Sequence, residues 1–436
     1  MKTKKRQIPA PELSVEKFEL SCGARLLVSP RPGATVTAVR AQMRGGPSLD
    51  PKGLEGLAYF TGSLADQGTK YHNERELAEI LEPRGGHLHG DATGLGGTIA
   101  GPEWKTLLDL IAEVLTGPTY PDAEVGTQKT RVLSRLAVEK DDPRAQGAQR
   151  FRKLVYGKHW LGRPQYGTLE SVSKIEPDHL RQSHADNWCG ERLIIAVCGD
   201  VKPRAIRNHL EKALSGLRRG KAYAPKASSF PDRGQRLDTF ASEREQVHVY
   251  VGHLGVRRKD PDYPALVVMD HILGSGPGFT NRIAGKLRDE LGLAYSVHAD
   301  IHGSSGLLPG MFTAYIGTAP QHLPTALSGF FEEMRRIQDE PVTARELETA
   351  RSYLLGSYAL GFERVARRAG YLVSAEIYGL PEDNLTRMPE LYAAVTAKDI
   401  QRVASEHLHP GNCCIVTAGP IKKKTLAREV AAASAK

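Results

Sequence analysis

The chain repeats one pattern of secondary-structure elements, and this duplication constrains its fold more than any other feature. Residues 174–200 and residues 394–420 each carry a capped helix followed by a β-rich run that ends at glycine. Upstream, Leu154–Gly157 has a counterpart in Glu376–Gly379. The offset, 394 minus 174, is 220 residues, far longer than the roughly 20–50 residues of a solenoid repeat. The sequence therefore predicts two homologous domains.

Each half begins with β-type runs and continues with amphipathic helices. Strands are predicted over 18–20, 25–29, 35–43 and 247–252, and helices over 107–115, 344–355 and 397–407. Thr343 and Thr396 are the expected N-caps of the last two helices. Strands of antiparallel type with helices grouped on one side predict an α+β fold, a mainly antiparallel sheet in each domain.

A polar segment rich in glycine, proline and serine, residues 216–236, separates the two halves. We therefore expect an N-terminal domain over 1–220, a linker over 221–236 and a C-terminal domain over 237–436. A chain of 436 residues is too long for one hydrophobic core, which agrees with this division.

The composition is that of an ordinary globular protein, with 40% hydrophobic and 25% charged residues. Its five cysteines form no C-x-x-C pair, which favours reduced thiols over a disulfide framework or a zinc ribbon. No apolar run approaches the length of a membrane span. The basic N-terminus is followed by Pro9 and Pro11, not by the apolar stretch of a secretion signal. We expect a cytoplasmic protein that does not enter a membrane.

The net charge of +9 raises the question of nucleic-acid binding. Lysine and arginine are spread along the chain apart from residues 2–6 and 422–424, and aromatic residues do not interleave with them. Without a nucleic-acid motif, this pattern predicts a solvated basic surface and no nucleic-acid partner.

Several segments in both halves resemble the pitrilysin/insulinase family of zinc metallopeptidases, whose members include the subunits of mitochondrial processing peptidase. The first half offers GLAYFTGSLADQGT, ELAEILEPRGGHLHGDAT and YGKHWLGRPQYGTLESV. The second half offers ILGSGPGFTNRIAGKLRDELGLAYSV, VTARELETARSYLLGSY and IYGLPEDNLTRMPELYAAVTAKDIQRVA. The resemblance covers nearly the whole chain and implies the two-domain processing-peptidase fold.

In this family a His-x-x-Glu-His helix and a glutamate of a later helix hold the zinc ion. The resemblance places Tyr59 and Ser63 at the two histidines and Gly62 at the catalytic glutamate. It places Gln128 and Arg135 at the two glutamates of the later helix, within residues 125–143. A phenol, a hydroxyl, a glycine, an amide and a guanidinium are not zinc donors. We therefore expect no metal at this site and no peptidase machinery of the chain's own.

The second half retains an Arg/Tyr pair, Arg288 and Tyr295, which the family uses to contact substrate at a partner domain's zinc site. Peptide hydrolysis develops negative charge on the carbonyl oxygen, and arginine and tyrosine are suitable donors to it. Gly292 is expected to turn the chain between a helix that bears Arg288 and a strand that opens at Tyr295. A purely structural alternative makes Arg288 a surface cation and half-buries Tyr295 in a sheet.

Two weaker signals accompany the Arg/Tyr pair. Gly274, Gly276 and Gly278 precede a helix, but no buried strand comes before them, as a dinucleotide site would need. The family resemblance implies instead a glycine-rich loop that contacts substrate. A plain turn between two helices is the alternative. His87 and His89 share one face of a predicted strand, where solvent-facing histidines are commoner than a metal clip.

The sequence thus predicts a zinc-less subunit that pairs with a homologous chain carrying His-x-x-Glu-His and zinc, with a peptide as substrate. This chain would supply Arg288 and Tyr295 to the partner's active site. Two alternatives remain: a structural or chaperone-like core subunit, and an autonomous hydrolase with a non-standard metal site. A homodimer of this chain would be inert as a peptidase.

Overall fold

Two β-sheets with the same strand order form the framework of the molecule. A computed structural model describes residues 13–225, 229–277 and 281–434. The strands are β1 (Glu16–Glu19), β2 (Arg25–Pro30), β3 (Val36–Met43), β4 (His87–Asp91), β5 (Gly94–Ala100), β6 (Leu193–Gly199), β7 (Arg236–Ala241), β8 (Val247–Leu254), β9 (Val297–Asp300), β10 (Met311–Thr318) and β11 (Cys414–Gly419).

The helices lie in groups between these strands and after the last of them. They are α1 (Leu57–Ser63), α2 (Glu74–Leu81), α3 (Trp104–Thr116), α4 (Asp122–Lys140), α5 (Pro143–Tyr156), α6 (Leu169–Ser173), α7 (Pro177–Asn187), α8 (Pro203–Ala213), α9 (Tyr263–Asp270), α10 (Arg282–Ala284), α11 (Leu323–Asp339), α12 (Ala344–Gly361), α13 (Val365–Tyr378), α14 (Asn384–Ala394), α15 (Ala397–His407) and α16 (Lys423–Ser434). Thr343 and Thr396 cap α12 and α15 as predicted, each in a capping box.

The first sheet has the order β1-β2-β6-β3-β5-β4, and the second has the order β7-β11-β8-β10-β9. Apart from β1, the two orders correspond strand for strand. In each sheet one pair is parallel, β2 with β6 and β7 with β11, and the other pairs are antiparallel. The shared topology confirms the prediction of two homologous α+β units.

The helices of each half cover one face of their own sheet and bury its core. The opposite face of each sheet is covered by a single helix from the other half. On α13 of the second half, Ala369, Leu372 and Val373 pack against residues of β2, β3 and β6. On α5 of the first half, Phe151 and Val155 pack against β8, β10 and β11. The two halves therefore complete each other's hydrophobic cores.

The ends of these exchanged helices contain the repeated segments Leu154–Gly157 and Glu376–Gly379 recognised in the sequence. Helix α5 ends at Tyr156 and α13 ends at Tyr378, and each is followed by a glycine with positive φ, Gly157 at 61° and Gly379 at 62°. A β-carbon disfavours this backbone conformation, which explains why glycine recurs at both ends.

Ion pairs tie the exchanged helix α13 and its neighbours to the first half. Arg25 on β2 pairs with Glu376 at 2.6 Å, and Lys17 on β1 pairs with Glu382 at 2.7 Å. These pairs are largely exposed and contribute little stability each, so the apolar contacts of α13 dominate this interface.

Candidate functional site

Helix α1 carries three of the predicted site positions, and a buried carboxylate fixes its start. The main-chain N–H groups of Gly56 and Ala58 donate to the two oxygens of Asp50 at 2.8 and 2.7 Å. Burial raises the pKa of the Asp50 carboxyl to about 6, against the opposing effect of these two hydrogen bonds. Gly56 adopts the left-handed conformation with φ of 98°, so the chain turns sharply into the helix.

The degenerate metal positions converge in space. Gln128 Nε2 of α4 donates to the Tyr59 hydroxyl of α1 at 3.0 Å. The guanidinium of Arg135 lies over the ring of Tyr166 at 4.1 Å, and the same ring meets Tyr59 edge-on at 4.7 Å between centroids. Tyr59, Gln128 and Arg135 thus assemble at one place with Tyr166 between them, and we call these four residues the tyrosine–arginine cluster.

The cluster saturates the groups that occupy the ligand positions. The Tyr59 hydroxyl accepts from Gln128, and Arg135 Nε donates to Glu139 at 2.7 Å, a hydrogen bond that raises the pKa of the arginine. A zinc dication requires electron-donating ligands, whereas Arg135 is a permanent cation that stacks on an aromatic ring and would repel the metal. The donor set does not fit a zinc ion.

The position of the catalytic glutamate is closed by main chain. Helix α1 crosses the end of β4 so closely that a β-carbon on Gly62 would overlap the carbonyl oxygen of Asp91. A β-carbon on Gly90 would likewise overlap the carbonyl oxygen of Gly62. The N–H of Gly90 donates to the Asp66 carboxylate just beyond α1 at 3.1 Å, which holds the two elements together. A glutamate side chain therefore has no space at position 62 in this packing.

Ser63, at the second histidine position, points into the protein. Its hydroxyl oxygen is buried and has no hydrogen-bond partner among residues 13–225, 229–277 and 281–434. A buried hydroxyl without a partner costs free energy.

The remaining histidines and carboxylates gather elsewhere. Within the described parts of the chain, two groups have three potential ligand atoms close together, namely Asp260 with Asp262 and His407, and Asp270 with Asp300 and His302. In the first, Asp262 is already paired with His407 at 2.8 Å. In the second, the Asp270 carboxylate accepts from His302 Nδ1 at 2.5 Å. Both sets are explained as ion pairs that hold structure.

His87 and His89 lie on β4, the edge strand of the first sheet. Leu88 between them packs toward the core, so the two histidines share the opposite face, where their rings stack at 5.9 Å. Asp91 does not join them, because it pairs with Arg40 at 2.7 Å. His87 and His89 belong to neither of the two potential metal groups.

The Arg/Tyr segment, residues 288–295, forms a turn that buried leucines hold against the protein core. Leu287 and Leu293 are buried, and the N–H of Leu293 donates to the oxygen of Leu287 at 2.9 Å. Gly292 has a φ of 61°, as the predicted sharp turn requires. Strand β9 begins at Val297, not at Tyr295 as expected, because the chain remains irregular after the turn.

The two side chains of this segment differ in exposure. Arg288 Nε donates to Asp289 at 2.8 Å, and its side chain is mostly covered. Tyr295 is 97% exposed, so it is neither half-buried nor part of the sheet. The structural alternative is therefore wrong for Tyr295. An aromatic ring left in water on an anchored turn has no role in the fold of this chain.

The glycine-rich segment has packing reasons of its own. A β-carbon on Gly274 would lie 2.6 Å from the nitrogen of Ala299, and one on Gly276 would overlap the oxygen of His271. Glycine is required here for close packing after α9, whatever the segment contacts. Gly278 lies outside the described residues.

Two residues of the site were not singled out from the sequence. Tyr166 stands at the centre of the tyrosine–arginine cluster, and its only signal was membership in the segment YGTLESV. Asp50 caps α1 from six residues before Gly56, a spacing that no capping rule covers. Both act through contacts between distant segments, which spacing does not reveal.

Comparison with known proteins points to one family. A sequence model of the peptidase M16 inactive domain matches residues 174–354. The chain is 24% identical over 427 residues to an uncharacterized zinc protease of Streptomyces coelicolor, covering 95% of this chain and 92% of that protein. The chain resembles the M16 peptidase family, and the match is to the inactive domain of that family.

Other M16 relatives and solved structures agree with this assignment. A non-peptidase homolog of Helicobacter pylori is 26% identical over 348 residues, covering 79% of each chain. The structure of a peptidase M16 inactive domain from Pseudomonas fluorescens superposes with a TM-score of 0.87 at 23% identity, over 94% of this chain and 99% of that one. A chain of complex III from Candida albicans has the same fold, with a TM-score of 0.76 at 16% identity over 96% and 100% of the two chains.

The M16 fold in this chain carries no candidate membrane span. Among the described residues, the helices are all too short or too polar to cross a bilayer.

Proposed function

We propose that this chain is the zinc-less subunit of a heterodimeric M16 peptidase. Its partner is a homologous chain that carries His-x-x-Glu-His, and the substrate is a peptide enclosed between the two. The zinc of the partner would activate the attacking water. Five free cysteines, four of them buried, support a reducing compartment, which we propose to be the cytoplasm.

One observation carries this proposal: the site that a zinc peptidase needs is closed, while Tyr295 stands free. The main chain of Asp91 occupies the space that the side chain of a catalytic base would need. This chain would therefore not hydrolyse peptides by itself. Tyr295 is 97% exposed on a turn that buried Leu287 and Leu293 hold in place. A solvent-exposed donor on an anchored turn is suited to a site on another molecule.

Within the complex, Arg288 and Tyr295 would stabilise charge that develops in the partner's site. The tyrosine hydroxyl is a directional donor, and the guanidinium is a permanent cation. Directed at the carbonyl oxygen under attack, each would be worth on the order of 3–4 kcal/mol of barrier. Gly274 and Gly276 would then shape the wall beside them, next to β9.

The test is to reconstitute the complex with the His-x-x-Glu-His partner and measure peptide hydrolysis. Arg288→Ala and Tyr295→Phe are each expected to lower kcat by roughly a hundredfold or more. Tyr71→Phe and Arg75→Ala are matched controls, because Tyr71 is 76% exposed and the Arg75 side chain is 84% exposed elsewhere on the first half. If the two site variants stay within about threefold of these controls, catalytic support by this chain is disproved.

A structural core subunit is the second candidate. It is favoured by the packing that blocks position 62 and by the similarity to a relative described as a non-peptidase homolog. Purification of the natural complex separates the two. A partner with His-x-x-Glu-His and one zinc per heterodimer supports the peptidase, and a partner without either supports the core subunit. Stoichiometric zinc in this chain alone would instead revive the autonomous hydrolase.

A further inference from the structure

Two cavities adjoin where the two halves and the connecting segment meet. The first, of about 410 Å³, is lined mainly by apolar and aromatic side chains such as Met43, Tyr156, Leu307 and Tyr378. The second, of about 710 Å³, is lined by Lys52, Lys158 and Arg163 among others. Both volumes fall in the range of small-molecule sites, roughly 300–1,000 Å³. Trp160, Tyr223, Pro225 and Leu308 line both cavities, so they form a common wall.

The second cavity carries an excess of positive charge, with three cationic side chains and one carboxylate in its lining. Lys52 and Lys158 make no ion pair with any residue of the described ranges, and both are exposed. Among the described residues, the Arg163 guanidinium donates to the main-chain oxygen of Asp50, at 3.4 Å. The lone carboxylate of this lining, Asp50, has both oxygens occupied by the N–H groups at the start of α1. Three cations thus face one opening.

The first cavity is apolar and carries a single charge. Of the side chains that line it, the only charged one is that of Arg44. No described residue forms an ion pair with it. Leu307 stays 41% exposed at the rim, although it is a large aliphatic residue. An apolar space that ends in cations at both sides is complementary to a molecule with an apolar body and an anionic group.

The walls are held in place by hydrogen bonds of the fold, so the cavities are preformed. The Tyr223 hydroxyl bonds to the Ser48 hydroxyl at 2.9 Å, and the Tyr156 hydroxyl donates to the oxygen of Pro309 at 3.2 Å. The ring of Phe230 lies against that of His159 in a tilted arrangement, 4.8 Å between centroids, beside Trp160. Because a preformed site does not have to be ordered on binding, less of the free energy gained from apolar contacts with the ligand is lost.

We propose that these adjoining cavities bind a small amphipathic anion, an alkyl chain that ends in a phosphate or carboxylate group. The chain would lie between Met43, Tyr156 and Leu308, and its anionic end would meet Lys158 and Arg163. This site shares no lining residue with the tyrosine–arginine cluster and does not depend on a peptidase partner. It links both halves, so a ligand there would stabilise their contact.

Calorimetric titration of the full chain with octyl phosphate tests the proposal. One molecule is expected to bind, and inorganic phosphate, octanol and octyltrimethylammonium are each expected to bind at least about tenfold more weakly. Decanoate distinguishes the head groups, because it supports a general anion site if it binds comparably and a phosphate site if it does not. Equal binding of octanol and octyl phosphate would overturn the proposal.

Two variants locate the ligand. The pair Lys158→Glu and Arg163→Glu should weaken octyl phosphate about tenfold or more and leave octanol unchanged. Leu308→Trp fills the common wall and should weaken both ligands. Lys212→Glu is the control, because Lys212 is an exposed cation of α8 that lines neither cavity. Should the charge-reversed pair bind octyl phosphate as the control does, the site is not where we place it.

The fluorescence of Trp160 gives a second measurement that does not require a destabilising change. Octyl phosphate should shift the emission of the native chain, and Trp160→Phe should abolish the shift while calorimetric binding persists. A shift that survives in Trp160→Phe would place the ligand elsewhere and contradict the proposal.

Discussion

Gly62 on α1 and Asp91 at the end of β4 are packed main chain against main chain, so position 62 accepts no side chain. Gly62→Ala should therefore destabilise the protein by about 2–3 kcal/mol, because the clash outweighs the better helix propensity of alanine. Urea denaturation at constant m-value measures the difference.

Gly126→Ala on α4 is the matched control for this prediction. A β-carbon at position 126 meets nothing within 4 Å, so alanine should stabilise the helix there by up to about 1 kcal/mol. The opposite signs of the two Gly→Ala changes are the signature of the close approach. Equal effects at 62 and 126 would mean that α1 and β4 are farther apart than described.

Restoring the family's ligands should not restore a zinc site. The combined change Tyr59→His, Gly62→Glu, Ser63→His and Arg135→Glu supplies the missing donors but drives a glutamate into the main chain of Asp91. We expect less than one zinc in about ten chains after dialysis, with the chain destabilised relative to the native protein. Elemental analysis is the measurement. The variant that leaves Gly62 unchanged is the control for the folding effect of the other substitutions.

The exchange of α5 and α13 predicts that the two halves unfold together. Phe151 is 2% exposed and packs on the second sheet, although it belongs to the first half. Phe151→Ala should cost about 3–5 kcal/mol and lower the stability of both halves in a single transition. Val138→Ala on exposed α4 is the control, since Val138 is 73% exposed and should change stability by less than about 0.5 kcal/mol.

Denaturation followed separately by probes in each half checks this expectation. Trp104 and Trp188 report on the first half, and a probe attached to exposed α12 reports on the second. Two transitions at different urea concentrations would show that the exchanged helices do not couple the halves. Fragments 1–220 and 237–436 should each expose one uncovered sheet face and associate.

His184 makes the stability depend on pH. Burial lowers the pKa of this imidazole to about 4, and its Nε2 bonds to the oxygen of Leu115 at 3.1 Å. An unfolded histidine titrates near 6.5, so between pH 6.5 and 4 the unfolded chain binds more protons than the folded one. The free energy of unfolding should fall across this window as the pH falls, by up to about 3 kcal/mol from this group.

Comparison of the native chain with His184→Gln tests the assignment. The glutamine amide keeps a donor for Leu115 and does not titrate, so the loss of stability between pH 6.5 and 4 should shrink. The exposed His87 is the control position, and His87→Gln makes the same substitution at a site in solvent. An identical pH profile for His184→Gln and the native chain would contradict the role of His184.

The candidate site shows which of its features could be predicted from the residues of a single segment. The identities of Tyr59, Ser63 and Arg135 predict from the sequence alone that this site lacks zinc, because coordination chemistry depends on donor type. The matched positions on α1 and α4 also do meet, as Gln128 and Tyr59 demonstrate at 3.0 Å. The place of Tyr166 in the cluster and the contact of Gly62 with Asp91 were not foreseen. Both arise between segments distant along the chain.

By itself, the sequence determined the duplication, the recurrence of Gly157 and Gly379 in its two halves, the α+β class and the loss of the metal donors. These features depend on the conformational preferences and chemistry of neighbouring residues. Only the tertiary structure decided that α5 and α13 each cover the sheet of the other half, that position 62 is closed and that Tyr295 stands in solvent. Which surfaces meet depends on the packing of whole elements, and the same local pattern is compatible with covering either sheet.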